Sequence, residues 1–183
     1  MTDDLDEFDA IVYDFDGTLA RLVVDWDAVA RDAADRFRAA GVDADGMDLW
    51  AMLDRADEAG LRDEVETVIS EHECEGAKLS ERLPLADRLE DHNVPVGVCS
   101  LNAERAVRRG LSVHDLDRYV DAVVGRDTVA THKPDPEPLL ATLRSLDVLP
   151  ERAVFVGDSE RDALTAERAG VAFRYVDGGP SGH

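Results

Sequence analysis

Lysine is nearly absent from this chain. Of its 20 basic residues 18 are arginine and only Lys78 and Lys133 are lysine, whereas 27 of the 41 acidic residues are aspartate, so the net charge is −21. A field of this sign repels nucleic acids and anionic lipids, and we expect neither as a partner. An excess of aspartate over lysine is typical of proteins adapted to a salt-saturated cytoplasm, where screening removes most of the self-repulsion. We therefore expect a halophilic protein.

Cysteine and long apolar runs are also scarce. The two cysteines, Cys74 and Cys99, are too few for a disulfide framework, and Cys99 lies in an apolar run where we expect a core residue. No run approaches the ~20 apolar residues that span a bilayer. Residues 2–7 are largely acidic, where a signal peptide is basic. The sequence therefore predicts a soluble, cytoplasmic protein without a membrane partner.

Apolar runs typical of strands alternate with helical patterns along most of the chain. Strands are predicted at residues 8–14, 94–100, 119–124, 153–157 and 172–176, and helices at 85–92, 103–110, 136–146 and 160–169. Alternation at this spacing favours right-handed crossovers and a mostly parallel sheet covered on both faces. We therefore predict an α/β fold with a doubly wound, Rossmann-like sheet.

The segment between the first strand and the helix at 85–92 contains no strand pattern. Asp25 is suited to N-cap a helix that begins at Trp26, and further helices are predicted at 47–59 and 61–72. We therefore predict a core of residues 1–20 and 84–177, a small helical insert of residues 21–83, and a disordered tail of residues 178–183.

Two aspartates stand at the end of the first predicted strand. Asp14 and Asp16 follow an apolar run, and carboxylates in such a place are costly unless a cation or a reaction requires them. A calcium-binding EF-hand loop would need glycine and glutamate where this chain has Leu19 and Asp25, so that interpretation fails. A plain turn remains open, because Asp-Gly is a common turn dipeptide.

Four segments together resemble the motifs of the haloacid dehalogenase-like phosphohydrolase superfamily. They are Asp14-Phe15-Asp16-Gly17-Thr18, Ser100 after an apolar run, Lys133-Pro134-Asp135-Pro136, and Gly157-Asp158-Ser159-Glu160-Arg161-Asp162. They occur in the family's order, with spacings of 86, 33 and 25 residues between Asp14, Ser100, Lys133 and Asp158. The insert falls where the family's type 1 caps occur, which implies a short helical cap after strand one.

Simpler interpretations exist for each later motif taken alone. Serine ends many strands, and the prolines after Lys133 could merely stiffen a loop that leads into a helix. Asp158 or Ser159 could N-cap the following helix, but that interpretation leaves Asp162 without a role. The combination of motifs, in order, favours a catalytic site.

The carboxylates themselves require a cation if a phosphate ester binds among them. Asp14, Asp158 and Asp162 would each repel the ester by several kcal/mol at ~4 Å and an effective dielectric constant of ~20. Hard oxygen ligands with open positions suit Mg²⁺. The resemblance implies that Asp14, Asp158 and the backbone carbonyl of Asp16 bind Mg²⁺, with Asp162 acting directly or through water.

The resemblance also implies a role for each catalytic residue. Asp14 would be the nucleophile that forms an aspartyl-phosphate, and Asp16 would protonate the leaving group and later deprotonate water. Lys133 would bind the phosphoryl group and offset the negative charge on that group and on Asp14. The Ser100 hydroxyl would bind phosphoryl oxygens. Relatives that displace halide lack the second aspartate, so Asp16 favours phosphoryl transfer.

We therefore expect a phosphatase that acts on a small phosphorylated metabolite, with phosphoglycolate-like or sugar phosphates as the favoured class. A phosphomutase shares every motif and stays open as an alternative. A non-catalytic, partner-binding module is the third hypothesis. The motifs specify neither the substrate nor an oligomeric state.

Overall fold

The computed structural model describes residue 5 and residues 7–176. Within them the chain forms strands β1 (Ala10–Tyr13), β2 (Ala20–Arg21), β3 (Glu81–Arg82), β4 (Val96–Cys99), β5 (Ala122–Val124), β6 (Ala153–Gly157) and β7 (Ala172–Tyr175). The helices are α1 (Trp26–Ala39), α2 (Leu49–Ala59), α3 (Arg62–Lys78), α4 (Glu104–Val113), α5 (Glu137–Leu146) and α6 (Glu160–Ala169). The alternation predicted from the sequence is confirmed.

A five-stranded parallel sheet forms the centre, in the order β5-β4-β1-β6-β7. Strand β1 is buried along its whole length because it lies between β4 and β6. Ile11 and Tyr13 join the hydrophobic cluster on one face of the sheet, whereas Ala10 and Val12 join the cluster on the other. Both faces are covered, which explains why the strand is apolar throughout. The doubly wound α/β fold is therefore confirmed.

The predicted helix at 85–92 is wrong in type. Residues Pro84–Asp91 form a 3-10 helix, in which Ala86 and Leu89 are the buried residues. Side chains three residues apart share one face of a 3-10 helix, so this spacing buries both against the core. A 3-10 turn at Asp117–Tyr119 likewise shortens the strand predicted at 119–124.

The insert packs around a core of its own. The N-cap prediction is confirmed, since Asp25 accepts a hydrogen bond from the amide of Ala28 at 3.0 Å. Residues of α1, α2 and α3 form a separate hydrophobic cluster that includes Val29, Phe37, Leu53 and Ile69.

Two details of the insert differ from the sequence prediction. The short strands β2 and β3 pair antiparallel where the chain leaves and re-enters the core, although no strand was predicted there. Helix α3 also continues beyond residue 72 through Gly76, where a Cβ atom would lie 2.6 Å from the carbonyl oxygen of Val23. Close backbone approach therefore requires glycine inside this helix.

No helix among residues 5 and 7–176 has the length and apolar content that crossing a membrane requires. The tail predicted at residues 178–183 lies outside the described residues.

Candidate active site

The predicted site residues gather at the carboxyl end of the sheet. Asp14 follows β1, Ser100 follows β4, and Asp158 follows β6, and these strands are neighbours. Ligands of such sheets bind outside the carboxyl ends of the strands. A cleft of about 2150 Å³ opens there, lined among others by Asp14, Asp16, Lys133, Asp158 and Asp162.

Lys133 lies between two of the carboxylates. Its Nζ donates to Asp14 Oδ1 at 2.9 Å, to Asp162 Oδ1 at 2.5 Å and to the carbonyl oxygen of Cys99 at 3.2 Å. Burial alone would lower the pKa of Lys133, but the charges of Asp14 and Asp162 outweigh it and raise the pKa. The lysine therefore stays charged inside the protein.

Three carboxylates form a compact acidic cluster. Oxygen atoms of Asp14, Asp158 and Asp162 lie within 4.8 Å of one another. Burial, and after it repulsion by Asp162, raises the pKa of Asp14 to about 8, although Lys133 opposes the shift. One ammonium group against three carboxylates leaves a deficit of positive charge, which a divalent cation with hard oxygen preference would fill. The donor set therefore fits Mg²⁺.

Glycines make room for two of these carboxylates. A Cβ atom on Gly17, whose φ is +87°, would lie 2.2 Å from Asp158 Oδ2. A Cβ atom on Gly157 would lie 2.6 Å from Asp162 Oδ2. The motif glycines thus let the carboxylates converge, and Gly17 also supplies a backbone conformation that other residues rarely adopt.

Asp16 is held in the turn after β1. Its Oδ1 accepts a hydrogen bond from the amide of Leu22 at 2.9 Å. Burial raises the pKa of Asp16, the Leu22 amide lowers it, and the nearby Asp158 raises it again, with a net upward shift. A raised pKa suits a carboxylic acid that donates a proton.

Asp162 has both a structural and a site contact. Ser159 N-caps α6 and forms a capping box with Asp162, whose Oδ2 lies 2.7 Å from Ser159 Oγ. Its other oxygen, Oδ1, binds Lys133. The predicted N-cap at Ser159 is therefore confirmed, and the capping box leaves Oδ1 of Asp162 to contact Lys133, while the role of Asp162 in metal binding stays a prediction.

Ser100 differs from the other predicted residues. It is buried, and it is not among the cleft-lining residues, although its neighbours Leu101 and Asn102 are. Its hydroxyl donates to Oδ1 of the Asn102 side chain at 3.1 Å and accepts from the backbone N–H of Asn102 at 3.1 Å. Its role in binding phosphoryl oxygens stays a prediction.

A buried ionic cluster beside this loop was missed by the sequence analysis. Arg126 of the core binds Glu66 and Glu73 of α3, and both Arg126 and Glu73 line the cleft. Arg126 stands two residues after β5, so the strand-end rule that identified Asp158 could have found it. No sequence pattern identifies Glu73, because it lies within helix α3 and meets Arg126 only through the packing of the insert against the core.

The insert also reaches the site through Trp50 of α2. The Trp50 ring lies 4.8 Å from the His132 ring, and the Arg161 guanidinium lies 5.6 Å from the Trp50 ring centre. His132 precedes Lys133, and Arg161 precedes Asp162. The insert therefore contacts the loop that supplies Lys133 and the start of helix α6, which supplies Asp162.

Four polar residues that were not predicted to belong to the site have surroundings that suit structural roles. Cys99 is buried, and burial raises the pKa of its thiol to about 12, as expected for a core residue. Arg62, His72 and Lys78 pair with acidic neighbours of the insert.

A sequence model of the haloacid dehalogenase-like hydrolase family matches residues 11–176. The chain therefore belongs to that family of enzymes, as the four motifs predicted. The pyrophosphatase PpaX of Bacillus thuringiensis is 39% identical over 83 residues, which make up 45% of this chain and 38% of that protein. The match thus spans well under half of PpaX.

Solved structures show the same fold. A variant of CbbY from Rhodobacter sphaeroides, in complex with xylulose-(1,5)bisphosphate, has a TM-score of 0.66 and 22% identity, covering 95% of this chain and 87% of that one. A protein named as a phosphoglycolate phosphatase from Lactobacillus plantarum has a TM-score of 0.65 and 22% identity, covering 92% and 86%. At these identities the likeness establishes the fold alone.

Proposed function

We propose that this chain is a Mg²⁺-dependent phosphatase that hydrolyses a small phosphate monoester through an aspartyl-phosphate on Asp14. The observation that carries the proposal is the buried contact of Lys133 with both Asp14 and Asp162, beside Asp158 and in a cleft that also contains Asp16. Burying several charged side chains together costs free energy of folding. Such clusters occur at functional sites, and this one is suited to bind a charged phosphoryl group.

Mg²⁺ would be held by the carboxylates of Asp14, Asp158 and Asp162 together with the backbone carbonyl of Asp16. When bound, the ion would neutralise negative charge and orient the phosphoryl group. The charge deficit of the cluster supports this assignment.

In the first half-reaction a carboxylate oxygen of Asp14 attacks phosphorus. Lys133 donates a hydrogen bond to Oδ1 of this carboxylate and holds it in place. The bond from phosphorus to the ester oxygen breaks, and Asp16 gives its proton to the departing alkoxide. The raised pKa of Asp16 keeps that proton available.

In the second half-reaction water attacks the phosphorus of the aspartyl-phosphate. Asp16, now a carboxylate, accepts a proton from that water, and the bond from phosphorus to the Asp14 oxygen breaks. Lys133 stabilises the Asp14 carboxylate as it is released. Phosphate leaves, and both aspartates return to their starting states.

The insert, residues 21–83, serves in this proposal as a cap over a core of residues 1–20 and 84–177. Its Trp50 contacts His132 and Arg161 next to the site and lines the cleft. A cap of this kind favours a small ester over a protein substrate. CbbY was solved with a sugar bisphosphate, which is a phosphate monoester, whereas PpaX is named a pyrophosphatase, so pyrophosphate, a phosphoanhydride, is tested beside the esters.

The test is a screen of phosphorylated metabolites, including phosphoglycolate, sugar phosphates and pyrophosphate, with release of inorganic phosphate as the readout. The assay contains Mg²⁺ and high salt, and a parallel series contains EDTA. We expect Mg²⁺-dependent release from at least one compound. Release that persists in EDTA, or no release from any compound, contradicts the proposal.

The same screen separates hydrolysis from the phosphomutase alternative. A mutase keeps water away from the aspartyl-phosphate, so it would isomerise a sugar phosphate with little phosphate release. Product analysis by ³¹P NMR distinguishes the two reactions directly.

A further inference from the structure

Arg126 joins the insert to the core through a largely buried ionic cluster. Its Nη1 lies 2.7 Å from Glu73 Oε1, its Nη2 lies 3.1 Å from Glu73 Oε2, and its Nε lies 3.1 Å from Glu66 Oε1. The side chains of Arg126 and Glu73 are 3% and 1% exposed. Burying such a pair gains little net stability, so its presence calls for a further reason.

Glu73 also holds the loop that follows β4. Its Oε2 accepts from the amide of Ala103 at 2.9 Å, and its Oε1 accepts from Asn102 Nδ2 at 3.2 Å. Arg126 Nη1 donates to the carbonyl oxygen of Leu101 at 2.9 Å. Three successive residues of this loop, Leu101, Asn102 and Ala103, therefore form hydrogen bonds with the Arg126–Glu73 ion pair.

Four N–H groups donate hydrogen bonds to the Glu73 carboxylate. Arg126 contributes two N–H groups, and Asn102 and Ala103 contribute one each. A carboxylate can only accept, so the Asn102 amide must turn its nitrogen toward Glu73 and its oxygen toward Ser100. That oxygen accepts the Ser100 hydroxyl at 3.1 Å. Glu73 therefore sets the orientation of Asn102 and, through it, of the Ser100 hydroxyl.

We propose that Glu73 and Arg126 are positioning residues, which hold the Ser100–Asn102 loop in the conformation that binds the phosphoryl group of the substrate. This proposal rests on the proposed function, since it assigns phosphate binding to that loop. Neither residue takes part in the two half-reactions. Through these two residues, the packing of the insert against the core determines the conformation of the phosphate-binding loop.

Replacing Glu73 with glutamine provides the sharpest test. Arg126 keeps its ion pair with Glu66, so no buried charge is left alone. The glutamine NH₂ group, however, must face one of the donors that Glu73 accepted from. The NH₂ group takes the place of either Oε1 or Oε2, so the loop loses the hydrogen bond from Asn102 Nδ2 or the one from the Ala103 backbone N–H, and the Ser100–Asn102 conformation is held less firmly.

Glu66→Gln is the matched control. It removes an equal charge from the same helix and the same arginine, but no hydrogen bond joins Glu66 to the loop. The Kd of inorganic phosphate is measured for wild type and both variants by isothermal titration calorimetry in the presence of Mg²⁺. Thermal unfolding verifies that each variant is folded.

We expect Glu73→Gln to bind phosphate roughly tenfold more weakly than Glu66→Gln, because one hydrogen bond to a charged group is worth about that factor. Equal affinity of the two folded variants overturns the proposal. Should Glu73→Gln fail to fold, Asn102→Ala takes its place. It removes the amide that links Glu73 to Ser100 and is expected to weaken phosphate binding, and an unchanged Kd overturns the proposal.

Binding separates this proposal from the proposed function. A wild-type protein that binds phosphate but hydrolyses no ester contradicts the phosphatase while the comparison of Glu73→Gln with Glu66→Gln still decides the positioning role. A wild-type protein that binds no phosphate contradicts the positioning role, whereas the release assay alone decides the phosphatase.

Discussion

Lys133 Nζ lies 2.9 Å from Asp14 Oδ1, although the two residues are 119 positions apart in the chain. Both side chains are buried, and the pair joins the end of β1 to the loop that leads into α5. Each charge is tolerable there only because the other is present. The contact therefore links the stability of the site to its proposed chemistry.

Lys133→Met should abolish most of the phosphatase activity. Without the ammonium group, Asp14, Asp158 and Asp162 repel one another and the incoming phosphate, and losses of this kind reduce kcat by about 10²–10³-fold. Lys78→Met is the matched control, because Lys78 is the other lysine of the chain and pairs with Glu75 on the surface. Phosphate release by both variants is compared, and similar rates would contradict the role of Lys133.

Asp14→Asn should eliminate turnover, since an amide oxygen is a poor nucleophile, and Asp16→Asn should leave only a trace. Both replacements are nearly isosteric, so thermal unfolding should still show a folded protein. Asp54→Asn, at an exposed position of α2, controls for the loss of a negative charge. Undiminished phosphate release by either site variant would falsify its assigned role.

The pH profile should reveal Asp16 as the proton donor. Burial raises its pKa above the ordinary value of 3.8, the Leu22 amide opposes this, and Asp158 adds to it. The protonated form is present below the raised pKa, so kcat/KM should fall as the pH rises through it. Asp16→Asn should lack this descending limb, measured at saturating Mg²⁺, whereas a limb that persists would assign it to another group.

Gly17→Ala should damage the site more than it damages the fold. The added Cβ would lie 2.2 Å from Asp158 Oδ2, in addition to the strain of a φ of +87°. Gly46→Ala is the control, because its φ is +74° and a Cβ there meets nothing within 4 Å. Both variants should lose about 1 kcal/mol of unfolding free energy from backbone strain. Activity should fall in Gly17→Ala alone, and equal activity would show that Asp158 can move aside.

Mg²⁺ should stabilise the wild-type protein and do so less in Asp158→Asn. An ion that binds only the folded state raises Tm by an amount that grows with the logarithm of its affinity, and one carboxylate of the cluster is lost in this variant. Asp158 is a better choice than Asp162, which also forms the capping box of α6. Differential scanning fluorimetry with Mg²⁺ and with EDTA measures both shifts, and equal shifts would remove Asp158 from the ligand set.

Much of the fold followed from local pattern. The strands before Asp14, Ser100 and Asp158 were predicted because each is a short apolar run that ends abruptly in polar residues, and buried parallel strands require this. The 3-10 type of the helix at Pro84–Asp91 was not predicted, because the spacing of its buried residues, Ala86 and Leu89, is compatible with an α-helix as well as a 3-10 helix. The strands β2 and β3 are two residues long, too short for any periodic signal.

The sequence by itself determined which residues stand at the carboxyl ends of the strands. The order of these motifs was sufficient to predict the family and the convergence of Asp14, Lys133, Asp158 and Asp162. Only the tertiary structure decided which oxygen of Asp162 meets Lys133, that Ser100 turns toward Asn102, and that Glu73 meets Arg126. Strand ends are set by local burial, whereas these contacts depend on how an inserted helical segment packs against a sheet distant from it in the chain.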